Sequence, residues 1–313
     1  MGALLFPGQG SQIVGMGSQF YKNFQLVKKI FDISDQKLNY SLSKIILEGS
    51  EEDLKLTKNT QPAILTVSYS IFKVLKDEFN FNLNKLKYFS GHSLGEYSAL
   101  VCAGSLNFED AIYLLHERGK AMQNAVPIGK GSMLAVLGTK ISDINNLLNE
   151  RENKKEICEI ANDNSEGQVI ISGEKKGVDA FQKVLKKNNI KFIPLKVSAP
   201  FHCSLMKSAA DIMREKIEKI NFGVPKCEIV SNVNALPQKN PVKIKELLYQ
   251  QIFSTVKWRE SLINMSENGI KNFIEIGPGK VLSGMVKRTV KNSKCFSINS
   301  ITDIKSLIDE FEK

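Results

Sequence analysis

The stretch GHSLGEYSAL, Gly91 to Leu100, decides the fold. Before it, Leu86 to Ser90 (LKYFS) reads as a short buried strand. After it, Leu94 to Ala103 reads as a helix that Gly104 closes from the C′ position. Strand, G-x-S-x-G and helix together make a nucleophile elbow. So sharp a turn crowds its neighbours, and the residues two places either side of the serine must lack a Cβ. Gly91 and Gly95 meet that demand. The turn lifts Ser93 to the N-terminus of a helix, whose dipole and unpaired N–H groups favour a developing oxyanion. The N–H of Leu94 is the natural first donor.

A chain of 313 residues exceeds the usual single-domain size, which implies one large domain with an insertion, or two domains. Apolar residues make up 42% of it, enough for a substantial core. No stretch approaches the ~18 consecutive apolar residues of a membrane span, and MGALLFPGQG carries no basic n-region or cleavage site. The expectation is an unsecreted protein without membrane segments, located in the cytoplasm or, after loss of a transit peptide, in an organelle stroma or matrix. Five scattered cysteines without a C-x-x-C pair imply reduced thiols and neither a zinc site nor a disulfide framework. The net charge of +10 suits an anionic partner. No basic run interleaved with aromatics appears, so nucleic acid is not expected. General lysine richness is the alternative reading of the charge, since only five of the 43 basic residues are Arg.

In chain order, Ala3–Phe6 is a short strand that runs into the glycine-rich loop PGQGSQ, residues 7–12. No G-K-[ST] follows, which excludes a Walker A loop. Pro62 is expected in the first turn of a helix to about Glu78, packing against the sheet through Ile64, Ile71, Leu75 and Phe79. Asn107 caps a helix from Phe108 to about Ala125 that turns Ile112, Leu115, Gly119 and Met122 inward and carries Arg118. Next come strand Ser132–Gly138, helix Ser142–Asn149, strands Cys158–Asp163 and Gln168–Ser172, helix Glu174–Lys187 and strand Lys191–Val197. That βαββαβ order is the split βαβ of a ferredoxin-like fold, inserted between two parts of a larger α/β domain. Beyond it lie a helix at Leu205–Ile220, a strand at Glu228–Val233 and helices near Pro241–Ile252 and Val256–Asn268. Strand Asn272–Gly277 then turns through Pro278-Gly279 into helix Lys280–Lys291. Alternation of this kind argues for a largely parallel sheet.

A serine attacks only if a base takes its proton, and histidine is the usual one. There are three. His92 is adjacent in an extended strand, where successive side chains diverge, so it reads as a wall of the pocket. His116 sits mid-helix beside Leu114 and Leu115, at the surface or as a satisfied core group. His202 lies on the loop SAPFHCSLM, which Pro200 stiffens, and is the base by elimination. The third group stays open: too many acids lie between Ser93 and His202, and an amide or backbone carbonyl can also orient an imidazole.

Six segments occur in order: FPGQGSQ at 6–12, GHSLGEYSALVCAG at 91–104, ERGKAMQ at 117–123, GQVIISG at 167–173, SAPFHCSLM at 198–206 and EIGPGKVL at 275–282. Over essentially its whole length the chain thereby resembles the malonyl-CoA:acyl carrier protein transacylases of type II fatty acid synthesis. The resemblance implies an α/β-hydrolase-like large subdomain with a parallel sheet, residues 1–127 and 198–313, and an inserted ferredoxin-like small subdomain, residues 128–197. It implies Ser93 as nucleophile, His202 as base and the carbonyl of Gln251, backbone or side chain, as the group that orients the histidine. Gln9 and Leu94 match the oxyanion-hole amides, and Arg118 matches the arginine that pairs with the malonyl carboxylate. Asn162 and Gln168 match residues lining the thioester and pantetheine channel. Phe201 stands before the histidine where some members carry a small residue, a position that bears on fine substrate preference. The implied partners are malonyl-CoA as substrate and acyl carrier protein as acceptor, with no cofactor and a monomeric enzyme. A serine thioesterase or esterase of the same fold is the alternative, and Arg118 discriminates, because a hydrolase of neutral esters has no use for a buried cation.

Overall fold

The computed structural model describes every residue except Asn153, Lys196, Ser198, Glu312 and Lys313. In chain order the strands are β1 (Gly2–Phe6), β2 (Leu86–Gly91), β3 (Gly131–Leu137), β4 (Cys158–Ser165) and β5 (Gln168–Glu174). They continue with β6 (Lys191–Pro194), β7 (Glu228–Val230), β8 (Pro237–Gln238), β9 (Asn272–Ile276) and β10 (Lys294–Ile298).

The larger sheet runs β10-β9-β1-β2-β7-β8, parallel throughout except for β8, which pairs antiparallel with β7. β1 is central, and all five residues of GALLF are buried. Leu4 and Phe6 point into the main core with Ile64, Ile112 and Leu115, whereas Ala3 and Leu5 join Trp258, Leu262 and Leu282 on the other face. A strand covered on both sides reads as a continuous apolar run.

The smaller sheet runs β4-β5-β3-β6, antiparallel at every pairing, and its outer core holds Leu134, Val136, Ile171 and Phe181 under helices Ile141–Leu148 and Lys175–Lys187. This is the ferredoxin-like arrangement that the βαββαβ order implies. β4 is tied back to the larger layer. Asp163 N–H donates to Val256 O (3.0 Å), Val256 N–H to Ala161 O (2.8 Å), and the Arg259 guanidinium grips the Asp163 carboxylate.

The sequence reading needs correction in places. The helix expected to carry Pro62 in its first turn runs from Thr57 to Lys73, with Pro62 deeper inside it, and passes into a wider π turn at Val74–Glu78. A proline at that depth removes the N–H that would bond Lys58 O. That carbonyl instead accepts from His116 Nδ1 at 3.1 Å, which makes the proline tolerable. The strand expected to reach Val233 stops at Val230, and the one expected to reach Val197 is described to Pro194, Lys196 lying outside the described residues. β10 and the helix Ile301–Phe311 have no counterpart in the sequence reading; most side chains of this edge strand are half-buried, so no clear apolar run marks it. All five cysteines are free. No helix among the described residues is long and apolar enough to cross a membrane.

Candidate active site

The elbow forms as its crowding requires. A Cβ on Gly91 would lie 1.9 Å from the backbone of Gly95, and one on Gly95 would lie 2.2 Å from Phe6 O. Ser93 takes φ of +55°, a conformation that costs free energy and is held only by its surroundings. The helix begins at Gly95, with Leu94 as its N-cap residue. Ser93 N–H is occupied by Asn232 Oδ1 at 2.7 Å. Among the described residues, the Leu94 and Gln9 N–H groups donate to no protein acceptor. Gln9 also lines the cavity above Ser93; Leu94 contributes its backbone at the helix start and buries its side chain in the core.

Ser93 Oγ–H donates to His202 Nε2 at 2.8 Å. Nδ1–H of the same ring donates to the backbone O of Gln251 at 2.9 Å, which fixes the tautomer with Nε2 as acceptor. His202 itself sits at φ +57°. Its loop is clamped from β4: Glu159 accepts both the N–H (2.9 Å) and the hydroxyl (2.6 Å) of Ser204. Burial, reinforced by the charge of Arg118, holds the His202 pKa down at about 3, so the ring is neutral and ready to accept a proton. The other two histidines are engaged elsewhere. His92 faces Asn164 Oδ1 at 2.8 Å on the cavity wall, and His116 holds Lys58 O.

Arg118 is 1% exposed. Its Nη1 donates to Gln61 Oε1 (2.7 Å), and its Nη2 donates to Ser93 Oγ (3.1 Å) and Gln251 Oε1 (2.9 Å). Every partner is neutral, and Nε has none among the described residues. A buried guanidinium without a carboxylate partner is costly unless a ligand supplies the anion. The cavity it opens on has a volume of about 260 Å³ and is also lined by Asn162, Gln168, Phe201 and Met122. Gln168 Oε1 accepts from Arg288 Nη2 at 3.1 Å.

Three residues of the site escape sequence reasoning. Asn232 accepts from Ser93 N–H and donates from Nδ2 to Gly91 O at 2.8 Å, bracing the elbow from both sides. Glu96 is buried and takes hydrogen bonds from Gln251 Nε2 (2.7 Å) and Asn232 N–H (3.1 Å). Burial pushes its pKa up to about 7. Gln61 belongs to a helix expected only to pack. A signal existed for Glu96, the one charged residue from Leu94 to Ala103, although an acid in a first turn is also ordinary helix chemistry. Asn232 and Gln61 have no distinguishing pattern around them.

EIGPGK is a strand-to-helix turn. The carboxylate of Glu275 accepts the N–H groups of Leu282 (3.0 Å) and Ser283 (2.7 Å), so the chain's own anion sits where a phosphate would.

Residues 3–308 match the acyl transferase domain family. The malonyl CoA-acyl carrier protein transacylase of Bacillus subtilis (strain 168) is 40% identical over 312 residues, covering 99% of this chain and 97% of that protein. The Haemophilus influenzae protein of the same name is 39% identical over 310 residues, covering 99% and 98%. Among solved structures, an acyl-carrier-protein S-malonyltransferase from Bartonella henselae superposes with a TM-score of 0.96 at 39% identity, covering all of both chains. A malonyl-transacylase in complex with a type II PKS acyl-carrier protein superposes with a TM-score of 0.94 at 38% identity, covering 98% of each. With the family match spanning nearly its whole length, this chain belongs to the acyl transferase domain family.

Proposed function

We propose that this chain transfers a malonyl group from malonyl-CoA to the phosphopantetheine thiol of acyl carrier protein through an O-malonyl-serine, supplying fatty acid elongation. The observation that carries the reading is Arg118, a buried cation without an anionic partner, 3.1 Å from the nucleophile's oxygen. A malonyl group differs from acetyl by one carboxylate, and a guanidinium fork matches that group with two charge-assisted hydrogen bonds.

In the first half-reaction Ser93 Oγ attacks the thioester carbonyl carbon while its proton passes to His202 Nε2. The oxyanion is received by the open N–H groups of Leu94 and Gln9. Collapse breaks the C–S bond, and the CoA thiolate takes the proton from Nε2. In the second half-reaction the carrier thiol gives its proton to the same nitrogen and its sulfur attacks the acyl-serine carbonyl; collapse breaks the C–Oγ bond, and Nε2 returns the proton to restore Ser93 Oγ–H. The backbone carbonyl of Gln251 keeps the ring oriented in both directions. Asn162, Gln168 and Phe201 line the path of the acyl and pantetheine chains. No metal or organic cofactor is needed for these steps. CoA and carrier protein are both anionic, so the net charge of +10 favours their approach. We read the chain as a monomer working in the cytoplasm or an organelle stroma or matrix, with residues 128–197 as the small subdomain and residues 1–127 with 198–313 as the large one.

The test is a competition between malonyl-CoA and acetyl-CoA, read as the mass of acylated carrier protein. In Arg118→Ala, malonyl transfer should fall by roughly a hundredfold or more while acetyl transfer holds or rises. An unchanged malonyl-to-acetyl preference would mean that the carboxylate binds elsewhere. A Ser93→Ala protein that still becomes acylated would overturn the covalent step.

A further inference from the structure

Gln61 stands beside Arg118 because two helices approach unusually closely. A Cβ on Gly119 would lie 2.5 Å from Thr57 O and 2.6 Å from Lys58 Cα, so the glycine lets helix Phe108–Asn124 press against the start of helix Thr57–Lys73. The contact brings Arg118, next to Gly119, onto Gln61, which is 1% exposed and lines the same cavity. The guanidinium can only donate, so the amide oxygen of Gln61 must be the end that meets Nη1, at 2.7 Å. The amide nitrogen is therefore turned the other way. Its partner there is Met122 Sδ at 3.9 Å, a weak thioether acceptor on the cavity wall. A buried amide nitrogen with two protons and one soft acceptor is an underused donor, and such groups are rare unless a ligand completes them.

We propose that Gln61 is a specificity-determining residue of the acyl cavity: its oxygen holds Arg118 in place, and its N–H₂ donates a further hydrogen bond to the ligand's carboxylate. The inference rests on the assignment of that carboxylate to Arg118. Its chemistry explains why the position carries an amide and not an acid. A carboxylate 2.7 Å from Nη1 would form an internal ion pair, neutralise the cation and repel the incoming anion. The amide oxygen positions the guanidinium and leaves its charge for the substrate.

The experiment uses the full chain with Gln61→Met, Gln61→Glu and Arg118→Ala, each in competition between malonyl-CoA and acetyl-CoA, with thermal melting to confirm folding. Gln61→Met keeps length and burial but removes both ends of the amide, and should lower the malonyl-to-acetyl ratio about tenfold. Gln61→Glu should lower it further, roughly a hundredfold, with acetyl transfer much less affected in both. A Gln61 that only fills space would let malonyl and acetyl transfer fall together. That result, or an unchanged ratio in whichever variant folds, overturns the proposal while Arg118→Ala still collapses the ratio. If Arg118→Ala also leaves the ratio unchanged, the assignment of the carboxylate to Arg118 fails first and takes this inference with it.

Discussion

His202 and Gln251 are joined through the backbone: Nδ1–H donates to the main-chain oxygen of Gln251 at 2.9 Å, while the Gln251 side chain faces the other way. Its Oε1 accepts from Arg118, and its Nε2 donates to Ser93 O (3.0 Å) and Glu96 (2.7 Å). One residue thus holds the imidazole with its main chain and the buried guanidinium with its side chain.

Gln251→Ala should therefore keep the histidine oriented and lose the arginine's support. We expect a preferential loss of malonyl transfer, a melting temperature lowered by the buried groups left unpaired (about 1–3 kcal/mol), and more residual activity than His202→Ala. His202→Ala should slow transfer by roughly 10²–10⁴. Parallel kinetics of the two variants decide the matter, and a Gln251→Ala protein as inactive as His202→Ala would contradict the backbone assignment.

Asn232 braces the elbow by accepting from Ser93 N–H and donating to Gly91 O. Asp at this position would set a carboxylate oxygen against the Gly91 carbonyl, with no proton to place between them. Asn232→Asp should lose activity by roughly tenfold or more while Asn232→Ala loses stability. Acylation rates measured by quenched mass spectrometry, beside melting curves, test both.

His202 and Glu96 pull the pH dependence of stability in opposite directions. Between about 3 and the ordinary 6.5, the unfolded chain carries a proton that buried His202 refuses, so this contribution is lost as pH falls through that window. Glu96, pushed from 4.5 up to about 7 by burial, holds a proton in the fold that the unfolded chain has released. Its contribution is complete below 4.5 and is lost as pH rises through 7. From pH 4.5 to 8 the wild type should thus lose stability relative to Glu96→Gln, on the order of 3 kcal/mol, measurable by denaturant titration. Acylation itself should show no inflection near 6.5, because His202 is already neutral there.

His116 serves Lys58 O, the carbonyl that Pro62 leaves without a helical donor. His116→Ala should cost about 1–3 kcal/mol of stability and leave acyl transfer within a few-fold. Loss of transfer on the scale of His202→Ala would show that the ring has a role in the chemistry.

What could be read from the sequence was whatever has a steric or periodic signature. The elbow was legible because its glycines are demanded by contacts under 2.5 Å, and the small sheet because βαββαβ has few ways to fold. His202 could be singled out because histidine is scarce in this chain, and Arg118 because its segment resembles the family's. The starts and ends of elements were less visible. Pro62 reads as a first-turn residue, and only the His116 ring, distant in sequence, shows why it can lie deeper. The bracing residues were hidden for a similar reason. Asn232, Glu96 and Gln61 act through partners 19 or more residues away, so no local pattern announces them.

Arg118 has a second consequence through the base. Desolvation is the larger cause of the low basicity of His202, but the guanidinium's field adds to it. A malonyl group carries its own countercharge into that field. On the proposed reading the carboxylate pairs with the guanidinium; the imidazole then no longer faces a bare cation, and its affinity for a proton climbs at the step where it stores one for the departing thiolate. Acetyl brings no such relief. On that reading the cargo retunes the group that handles it, and selectivity draws on the timing of one proton as well as on the grip on one carboxylate.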